Sequence, residues 1–516
     1  MKFILTALAG CLCLLHPIHL TAQNPISDSL QAMILTPKES ESPRINGTSM
    51  IGVRPNAPFF YHIPVTGKRP IAYTTVNLPK GLSLDAQTGN IAGKLTKEGS
   101  YVVQLKAKNK LGNSEKKLTI VVGETIGLTP AMGWNSWNCW GGSVNQDKVM
   151  RTAKAFAQFQ LQEHGWSYIN IDDGWQGARG GSNNALQTDP KKFPDIKAMT
   201  DSIHAMGLKV GIYSTPWVRS YAGRLGGSAE NELGLKDSLF TKKVKYNAKQ
   251  LPADIGKYSF AKQDAQQWAD WGMDYLKYDW GPVTMPPTKE MYDALRATGR
   301  DIILSISNNA AGNLLKEINE VSPYAQSWRT TNDINDTWKN VSNIGFNQDK
   351  WAAAQSVGHF NDPDMLVIGY VGWGKPHPTK LTPDEQYAHF SLWCLLSSPL
   401  LLGFDAEKID PFTLSLITND EVIAIDQDVL CKQATKVSSK DSLELFAKPL
   451  SDGNVAIGLF NRSMHPAKVK AQWKDIGIEG KRTVRDLWRQ KNIATADKEF
   501  EAEVASHGVV LVKLMK

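Results

Sequence analysis

Residues 272–283 read GMDYLKYDWGPV, and the short apolar and aromatic run within them is interrupted only by Lys277 and Asp279. A run of this length that stops before a Gly-Pro turn is typical of a buried parallel strand. Asp279 then lies at the strand's carboxyl end, where barrel enzymes carry their catalytic groups, and Lys277 points to the same face. A lysine beside a carboxylate favours the ionised form, which suits a nucleophile, although the same pattern also fits a strand-terminal salt bridge.

The surrounding residues 125–426 alternate strand-like apolar segments with amphipathic helical ones. Such alternation predicts a parallel α/β fold, and eight strand candidates predict a closed (β/α)8 TIM barrel. No Gly-x-Gly-x-x-Gly or P-loop motif follows a strand, which disfavours a nucleotide-binding doubly wound sheet. The candidates are LTPAMGWNSW, SYINIDDGW, LKVGIYST, YLKYDW, DIILSIS, YAQSWRTT, GHFNDPDM and SPLLLGFD.

Short alternating runs flank the barrel region on both sides. Residues 51–124 contain turns at LPKGL, DAQTGN and KEGS and predict an N-terminal β-sandwich. Residues 427–516 predict a C-terminal antiparallel β-sandwich that packs against the barrel. The polar residues 23–50 predict a linker. We therefore expect a multidomain chain with a TIM barrel between two β-sandwiches.

The N-terminus predicts export. Lys2 is followed by the apolar run FILTALAGCLCLL, so residues 1–22 predict a signal peptide cleaved near Ala22, and a secreted or periplasmic protein. Leu8-Ala-Gly-Cys11 resembles a lipoprotein cleavage box, but the apolar run continues past Cys11, and lipid anchoring is the less favoured alternative. No later stretch has the roughly 18 to 20 apolar residues of a membrane helix.

The composition excludes several classes of protein. With 516 residues, 42% of them hydrophobic and 21% charged, the chain reads as an ordinary globular protein. Its net charge of +7 is small and scattered, which argues against nucleic acid as a partner. Cys139, Cys394 and Cys431 are odd in number and far apart, so no disulfide scaffold is predicted.

Polar and aromatic side chains end nearly every predicted barrel strand. Because the loops at the carboxyl ends of barrel strands converge, we expect these side chains to line one pocket. Carboxylates accept hydrogen bonds from sugar hydroxyls, and indole rings pack on the apolar face of a pyranose, so the pocket predicts a polyhydroxylated ligand. The residues are Trp134, Asn135, Trp137, Asp172, Asp173, Tyr213, Ser214, Lys277, Asp279, Arg329, Asp333, Asp362 and Asp364.

Taken singly, these residues have simpler interpretations. Asp172 and Asp173 could be helix N-caps, and Asp362 or Asp364 could cap the turn at Pro363. The tryptophans could belong to the core, and so many carboxylates could hold a divalent metal ion. The repetition of polar strand ends around one predicted barrel favours the shared pocket, and we assign no metal to it.

Several segments in order resemble glycoside hydrolase family 27, the α-galactosidases and α-N-acetylgalactosaminidases. These are LTPAMGWNSWN, YINIDDGW, GLKVGIYS, YLKYDW, WRTTNDINDTW and HFNDPDML, and AKPLSDGNVAIGLFNR resembles the family's C-terminal sandwich. The resemblance runs from about Gly127 to the C-terminus and implies a (β/α)8 barrel, retention of anomeric configuration and no cofactor. LPKGLSLDAQTGNIAGKLTKEGSYVVQLKAKNKLG resembles the immunoglobulin-like modules of bacterial surface enzymes, which implies a fold but no ligand.

Carried over position by position, the resemblance implies that Asp279 is the nucleophile and Asp333 the acid/base. Asp172 and Asp173 resemble the pair that binds the 4- and 6-hydroxyls of galactose, and Trp137 resembles the ring under the sugar. The other residues that resemble substrate-binding groups of the pocket are Tyr213, Lys277, Arg329 and Asp364.

The sequence departs from the family in its missing disulfide cysteines and in its fifth strand. Gly174 and Gly281 stand where eukaryotic members carry disulfide cysteines. In the fifth strand SISNNAAG places Asn308 near the position of a Glu that reads the sugar's 2-substituent, and an amide both donates and accepts hydrogen bonds. The loop 216–262 is long for a barrel connection and is expected to shape the leaving-group side.

The resemblance implies a secreted, retaining exo-glycosidase that hydrolyses terminal α-galactosidic bonds of oligosaccharides or polysaccharides. Neither a membrane span nor a nucleic-acid partner is expected. One alternative is the same fold acting on a β-L-arabinopyranoside, an α-N-acetylgalactosaminide or isomaltodextran. Another is a catalytically silent carbohydrate-binding protein.

Overall fold

The computed structural model describes residues 28–236 and 255–516. The predicted signal peptide 1–22 and residues 237–254 of the predicted long loop lie outside the described residues. Within the described ranges, no helix combines the length and the apolar composition needed to cross a bilayer.

Residues 44–122 form a β-sandwich. Its strands are β1 (Arg44–Ile45), β2 (Met50–Val53), β3 (Pro58–His62), β4 (Val65–Thr66), β5 (Ala72–Val76), β6 (Leu82–Leu84), β7 (Asn90–Lys94), β8 (Gly99–Asn109) and β9 (Gly112–Val122). One sheet has the order β2-β9-β8-β5, a second has the order β3-β7-β6, and β1 pairs with β4. Alternate side chains of β8, such as Val103 and Leu105, share one apolar core with Phe59 of β3. The predicted immunoglobulin-like sandwich is confirmed.

The central part of the chain is a barrel, and its strands and the short hairpins in its loops follow in chain order. They are β10 (Met132–Asn135), β11 (Tyr168–Asn170), β12 (Gln176–Gly180), β13 (Ala185–Thr188), β14 (Lys209–Ser214), β15 (Ser228–Ala229), β16 (Tyr258–Ser259), β17 (Tyr275–Asp279), β18 (Ile303–Ser307), β19 (Ser327–Arg329), β20 (Phe360–Asp362), β21 (Tyr370–Val371), β22 (His377–Pro378) and β23 (Leu400–Leu402).

Eight of these strands, all within the described ranges, form one parallel sheet in the order β20-β19-β18-β17-β14-β11-β10-β23. An isolated parallel bridge between Leu366 and Leu402 joins the two ends of the sheet and closes the ring. All eight predicted strand segments contribute a strand, so the predicted TIM barrel is confirmed.

The helices lie mostly around the barrel. They are α1 (Asp28–Gln31), α2 (Trp137–Trp140), α3 (Gln146–Gln158), α4 (Ile196–Ala205), α5 (Ala261–Trp271), α6 (Met285–Ala297), α7 (Leu314–Val321), α8 (Trp338–Gly345), α9 (Pro383–Leu396), α10 (Pro411–Ile417) and α11 (Asp420–Asp426). Short 3-10 turns occupy Gly141–Ser143, Leu161–His164, Ser322–Tyr324, Asp349–Ala354, Ala406–Lys408 and Trp473–Asp475.

The C-terminal part is the predicted antiparallel β structure. Its strands are β24 (Thr435–Lys440), β25 (Leu443–Pro449), β26 (Val455–Asn461), β27 (Ala467–Gln472), β28 (Arg482–Asp486), β29 (Lys491–Ala496), β30 (Glu499–Val504) and β31 (Val509–Met515). Six form a sheet in the order β24-β25-β26-β31-β28-β29, and β27 pairs with β30. The sheet packs on the barrel, where Trp488 donates a hydrogen bond of 2.9 Å to Ser391 of α9.

The N-terminal sandwich docks on the barrel through a buried carboxylate. Glu163, in the turn Leu161–His164, accepts the backbone N–H of Val65 at 2.8 Å and lies 2.6 Å from the Arg69 guanidinium. His62 of β3 is 3.3 Å from the same carboxylate. Because a buried carboxylate and its partners leave water together, each partner depends on the others for a hydrogen bond.

We expect Glu163→Ala to lower the free energy of unfolding by about 3 kcal/mol, because it leaves a buried N–H and a guanidinium without their partner. Urea unfolding followed by circular dichroism would measure the loss. The control is Glu41→Ala, which removes a mostly exposed pair with Lys68 (3.5 Å) and should cost no more than about 0.5 kcal/mol. Equal effects of the two substitutions would contradict the docking role of Glu163.

Candidate active site

A pocket opens at the carboxyl ends of the barrel strands, and all nine predicted site residues line it. The nine are Trp137, Asp172, Asp173, Tyr213, Lys277, Asp279, Arg329, Asp333 and Asp364. Asn138, Tyr221, Asn308 and Met365 complete the lining, and of these only Asn308 stood out in the sequence. Four other predicted strand-end residues do not line the pocket, namely Trp134, Asn135, Ser214 and Asp362.

The register of the barrel strands sets this arrangement. Tyr213 of β14 pairs with Lys277 of β17, and Asp279 pairs with Ser307 at the end of β18. Asn308 follows Ser307 directly, so its side chain emerges beside that of Asp279. Neighbouring parallel strands that end at the same level deliver their last side chains to one mouth.

Asp279 is held by two groups. Asn308 Nδ2 donates a hydrogen bond of 3.1 Å to Oδ1, and Lys277 Nζ lies 3.9 Å from Oδ2. The nearer partner of Lys277 is Asp172, at 2.8 Å. The predicted pairing of Lys277 with Asp279 therefore exists, but the lysine is shared and its stronger contact is with Asp172.

Burial dominates the ionisation of Asp279. Burial, helped by the charges of Asp172 and Asp333, outweighs the opposing charges of Lys277 and Arg329, and the net effect raises the pKa of the carboxyl to about 7. Lys277 favours the ionised form of Asp279, as expected, but the loss of water has a larger effect on the pKa than this shared ammonium group.

Asp333 lies at the rim of the pocket, with its side chain 78% exposed. Arg329, only 4% exposed, contacts Asp333 at 3.1 Å and Asp364 at 2.7 Å. Removal of water inside the pocket raises the pKa of Asp333, but the charges of Arg329 and Lys277 outweigh it, so the net shift is downward. Because the Asp333 side chain is mostly exposed, its contact with the Arg329 guanidinium has the larger influence on its ionisation.

The adjacent Asp172 and Asp173 have different partners. Asp172 Oδ1 accepts the Asp173 N–H at 2.7 Å, and Oδ2 accepts from Lys277. Asp173 accepts from the backbone N–H of Ala222 at 2.6 Å and from Gln176 Nε2 at 3.0 Å. Neither residue is the N-cap of a described helix, and burial raises the pKa of Asp173.

At the turn around Pro363, the simpler interpretation of a turn-capping aspartate holds for Asp362. Asp362 Oδ1 accepts the Asp364 N–H at 2.8 Å, as a turn-capping aspartate does. Asp364 accepts the backbone N–H groups of Ile334 and Met365, and it also binds Arg329. Asp364 therefore fixes the loop that carries Asp333 and positions the guanidinium.

The aromatic residues divide between core and pocket. Trp134 is fully buried and donates its indole N–H to Phe404 O at 2.7 Å, so it belongs to the core. Trp137 opens α2 and is half-buried at the pocket. Tyr213 is fully buried, and among the described residues its hydroxyl has no hydrogen-bond partner. A buried hydroxyl that lines a pocket without a partner is suited to bind a ligand's hydroxyl.

Tyr221 is the main residue that sequence reasoning missed. It lies in the described part of the predicted long loop, 37% exposed, and its hydroxyl is 2.7 Å from Asn308 Nδ2. The neighbouring Ala222 holds Asp173. The segment SYAGR has neither strand nor helix periodicity, so only the length of the loop marked it.

A second cavity, of about 200 Å³, lies at the opposite end of the barrel, beneath the N-terminal sandwich. Its two lining aspartates have cationic partners, because Arg300 lies 2.5 Å from Asp274 and Arg54, beside the cavity, lies 2.6 Å from Asp301. Across residues 28–236 and 255–516, no cluster of three or more His, Cys, Asp or Glu could hold a metal ion. The unbalanced charges lie in the pocket at the carboxyl ends, which we take as the candidate active site.

Family models match most of the chain. The model for alpha galactosidase A matches residues 129–237 and 229–428, and that for the alpha galactosidase C-terminal beta sandwich domain matches 440–514. An Ig domain model matches residues 42–123.

Individual relatives agree with the models. An alpha-galactosidase of Cyamopsis tetragonoloba is 37% identical over 74% of this chain and 85% of its own length. A Bacteroides fragilis structure, described provisionally as an alpha-galactosidase/melibiase, superposes with a TM-score of 0.81 at 33% identity and covers 94% of this chain and 100% of its own. A family 27 β-L-arabinopyranosidase of Geobacillus stearothermophilus has a TM-score of 0.65 at 26% identity and covers 76% and 98%.

Proposed function

This chain belongs to the melibiase family, glycoside hydrolase family 27, and we propose that it hydrolyses terminal α-galactosidic bonds with retention of configuration. The observation that carries the proposal is the pairing of two carboxyls in one pocket, one buried at the end of β17 and one at the rim. Asp279 and Asp333 are these carboxyls, and two further aspartates, Asp172 and Asp173, line the same pocket.

In the first step Asp279 attacks the anomeric carbon while Asp333 protonates the leaving oxygen. A galactosyl ester of Asp279 forms and the glycosidic bond breaks. In the second step Asp333 removes a proton from water, the water attacks the anomeric carbon, and Asp279 leaves as a carboxylate. The rim position of Asp333 suits both steps, since the leaving group departs to solvent and the water enters from it.

The surroundings of Asp279 and Asp333 decide which of the two carboxyls carries a proton. Because the pKa of Asp279 is raised and that of Asp333 is lowered, a single proton in the free pocket resides on Asp279 rather than on Asp333. The first step needs this proton on Asp333. A bound sugar that displaces water from Asp333 favours its neutral form, and positive charge developing at the anomeric carbon favours ionised Asp279.

Four groups are suited to hold the sugar. Asp172 and Asp173 are buried acceptors, which match the 4- and 6-hydroxyls that the resemblance implies for them. The Tyr213 hydroxyl faces the same space, and the Trp137 ring offers an apolar surface for the pyranose. Buried carboxylates that need donors discriminate strongly against a sugar lacking a hydroxyl.

We expect Asp279→Asn to lower kcat on an aryl α-galactoside by at least about 10³-fold, because an amide cannot act as the nucleophile. NMR of the first product formed by the wild type should show the α-anomer. Inversion would contradict the double displacement, and unchanged turnover by the variant would remove Asp279 from the mechanism. Absence of turnover by the folded wild type would favour the catalytically silent alternative.

We expect kcat/KM to fall as the pH rises through about 7, because the two catalytic carboxyls then lose their last proton and no acid remains. At low pH both carboxyls are protonated and the nucleophile is lost, so the profile should be bell-shaped with its maximum below pH 7. Initial rates at low substrate concentration, with a check of enzyme stability at each pH, would measure it. A rate that rises above neutrality would contradict the assignment.

Substrate preference should follow the aspartate pair. A β-L-arabinopyranoside shares galactose's ring stereochemistry but lacks C6, so the carboxylate that binds the 6-hydroxyl loses one of its hydrogen-bond donors. We expect kcat/KM to favour the aryl α-galactoside by about 10²-fold over that substrate, and also over the α-N-acetylgalactosaminide and α-glucoside. A different best substrate would overturn the specificity and leave the retaining mechanism in place.

The N-terminal sequence supports export as part of the proposal. The basic residue and apolar run within residues 1–22 have the pattern of a signal peptide, and a secreted or periplasmic hydrolase would meet oligosaccharides or polysaccharides there. Mass spectrometry of the mature protein should find an N-terminus near residue 23. A lipid on Cys11 would show anchoring instead.

A further inference from the structure

Two residues with no part in the mechanism above connect a surface loop to the proposed nucleophile. Asn308 Nδ2 lies 3.1 Å from Asp279 Oδ1 and 2.7 Å from the Tyr221 hydroxyl. Asn308 is 8% exposed, whereas Tyr221 is at the pocket's edge on the loop that follows β14. The chain of contacts therefore runs from the surface of the loop to the buried carboxylate.

The orientation of the Asn308 amide follows from a third contact. Its Oδ1 accepts the backbone N–H of Ala310 at 2.8 Å, so the opposite end, directed at Asp279 and Tyr221, is the amino group. An amide nitrogen has two hydrogens, and these two acceptors use both. Asn308 thus has no N–H left for a sugar hydroxyl, although it stands near the position where the family reads the 2-substituent.

We propose that Tyr221 and Asn308 form a positioning bridge that fixes the orientation of Asp279 for nucleophilic attack. The inference rests on the proposed role of Asp279. Asn308 holds Oδ1 and so fixes the rotation of the carboxylate, which leaves Oδ2 to approach the anomeric carbon. Tyr221 acts through Asn308, because its oxygen accepts the second N–H and holds the amide plane in place.

The bridge also links the nucleophile to a sugar-binding carboxylate. Ala222, next to Tyr221, donates its N–H to Asp173 at 2.6 Å. Two adjacent loop residues thus hold one carboxylate that binds sugar and one that attacks it.

The test uses Asn308→Ala, Tyr221→Phe and the double variant in the full-length protein. Removing the N–H donor disfavours ionised Asp279, so the pKa of Asp279 rises. The alkaline limb of the kcat/KM profile then moves to higher pH. A smaller fraction of the enzyme has Asp279 ionised with the proton on Asp333, which is the active form. We expect Asn308→Ala to lower kcat/KM about tenfold, mainly in kcat, and to move the limb by about one pH unit. Tyr221→Phe should lower kcat/KM about threefold and move the limb in the same direction.

The double variant decides whether Tyr221 acts through Asn308. If it does, Tyr221→Phe costs nothing further once Asn308 is Ala, and the double variant equals Asn308→Ala. Multiplicative effects, or an unmoved limb in both single variants, would overturn the bridge. Asn308→Asp, which keeps the shape but replaces the donor with a charge, should lose more activity than Asn308→Ala, and equal activity with wild type would also overturn it.

Tyr101→Phe is the matched control, since it removes a tyrosine hydroxyl that bonds Lys97 O at 2.9 Å in the N-terminal sandwich, away from the pocket. It should leave kcat/KM and the pH profile unchanged. Thermal melts of every variant show whether the fold is intact. Failure of the proposed function is seen separately, as turnover that survives in Asp279→Asn, whereas failure of the bridge leaves that variant inactive.

Discussion

The pocket carries more buried acidic groups than it has cations to pair with them. Lys277 and Arg329 face Asp172, Asp173, Asp279, Asp333 and Asp364. A buried charge without a partner is costly, so part of the surplus is relieved by raised pKa values, as at Asp279 and Asp173. The same surplus of negative charge favours a transition state with positive charge at the anomeric carbon, because that charge pairs with carboxylates that lack a cation in the free pocket.

The barrel produces this surplus through strand register. Lys277 and Asp279 are two residues apart on β17 and so share a face, while Asp172 follows β11 and reaches the same ammonium group from two strands away. Lys277 and Asp279 lie on a strand that pairs with a neighbour on each side, and Asp172 lies just beyond the end of β11. The rigid strands therefore fix charges that would separate if they were carried on loops alone.

Local signals, namely apolar runs and the polar residues that end them, predicted the eight barrel strands and thirteen candidate pocket residues. Nine of the thirteen line the pocket, and these nine are the ones that the family resemblance selected. The longest helix, α9, gave no such signal. Its residues from Glu385 to Leu396 are all buried, since the C-terminal sheet covers the side that other barrel helices expose, and a helix buried all round has no amphipathic period. Tyr221 was missed for a different reason, because its role arises from a contact with Asn308 that is distant in sequence and has no motif.

Charged groups are paired differently at the two ends of the barrel. At the base, the buried Glu163 is surrounded by Arg69, His62 and a backbone N–H, and Arg54 meets Asp301 at 2.6 Å, so each carboxylate has its own donors. Such pairing holds the N-terminal sandwich in place and leaves no group to react. At the mouth the carboxyls share too few donors, and one of them keeps a proton near neutrality. A fully paired mouth would be more stable but would have neither an available acid nor an available nucleophile, so the imbalance of charge is the feature on which the proposed catalysis depends.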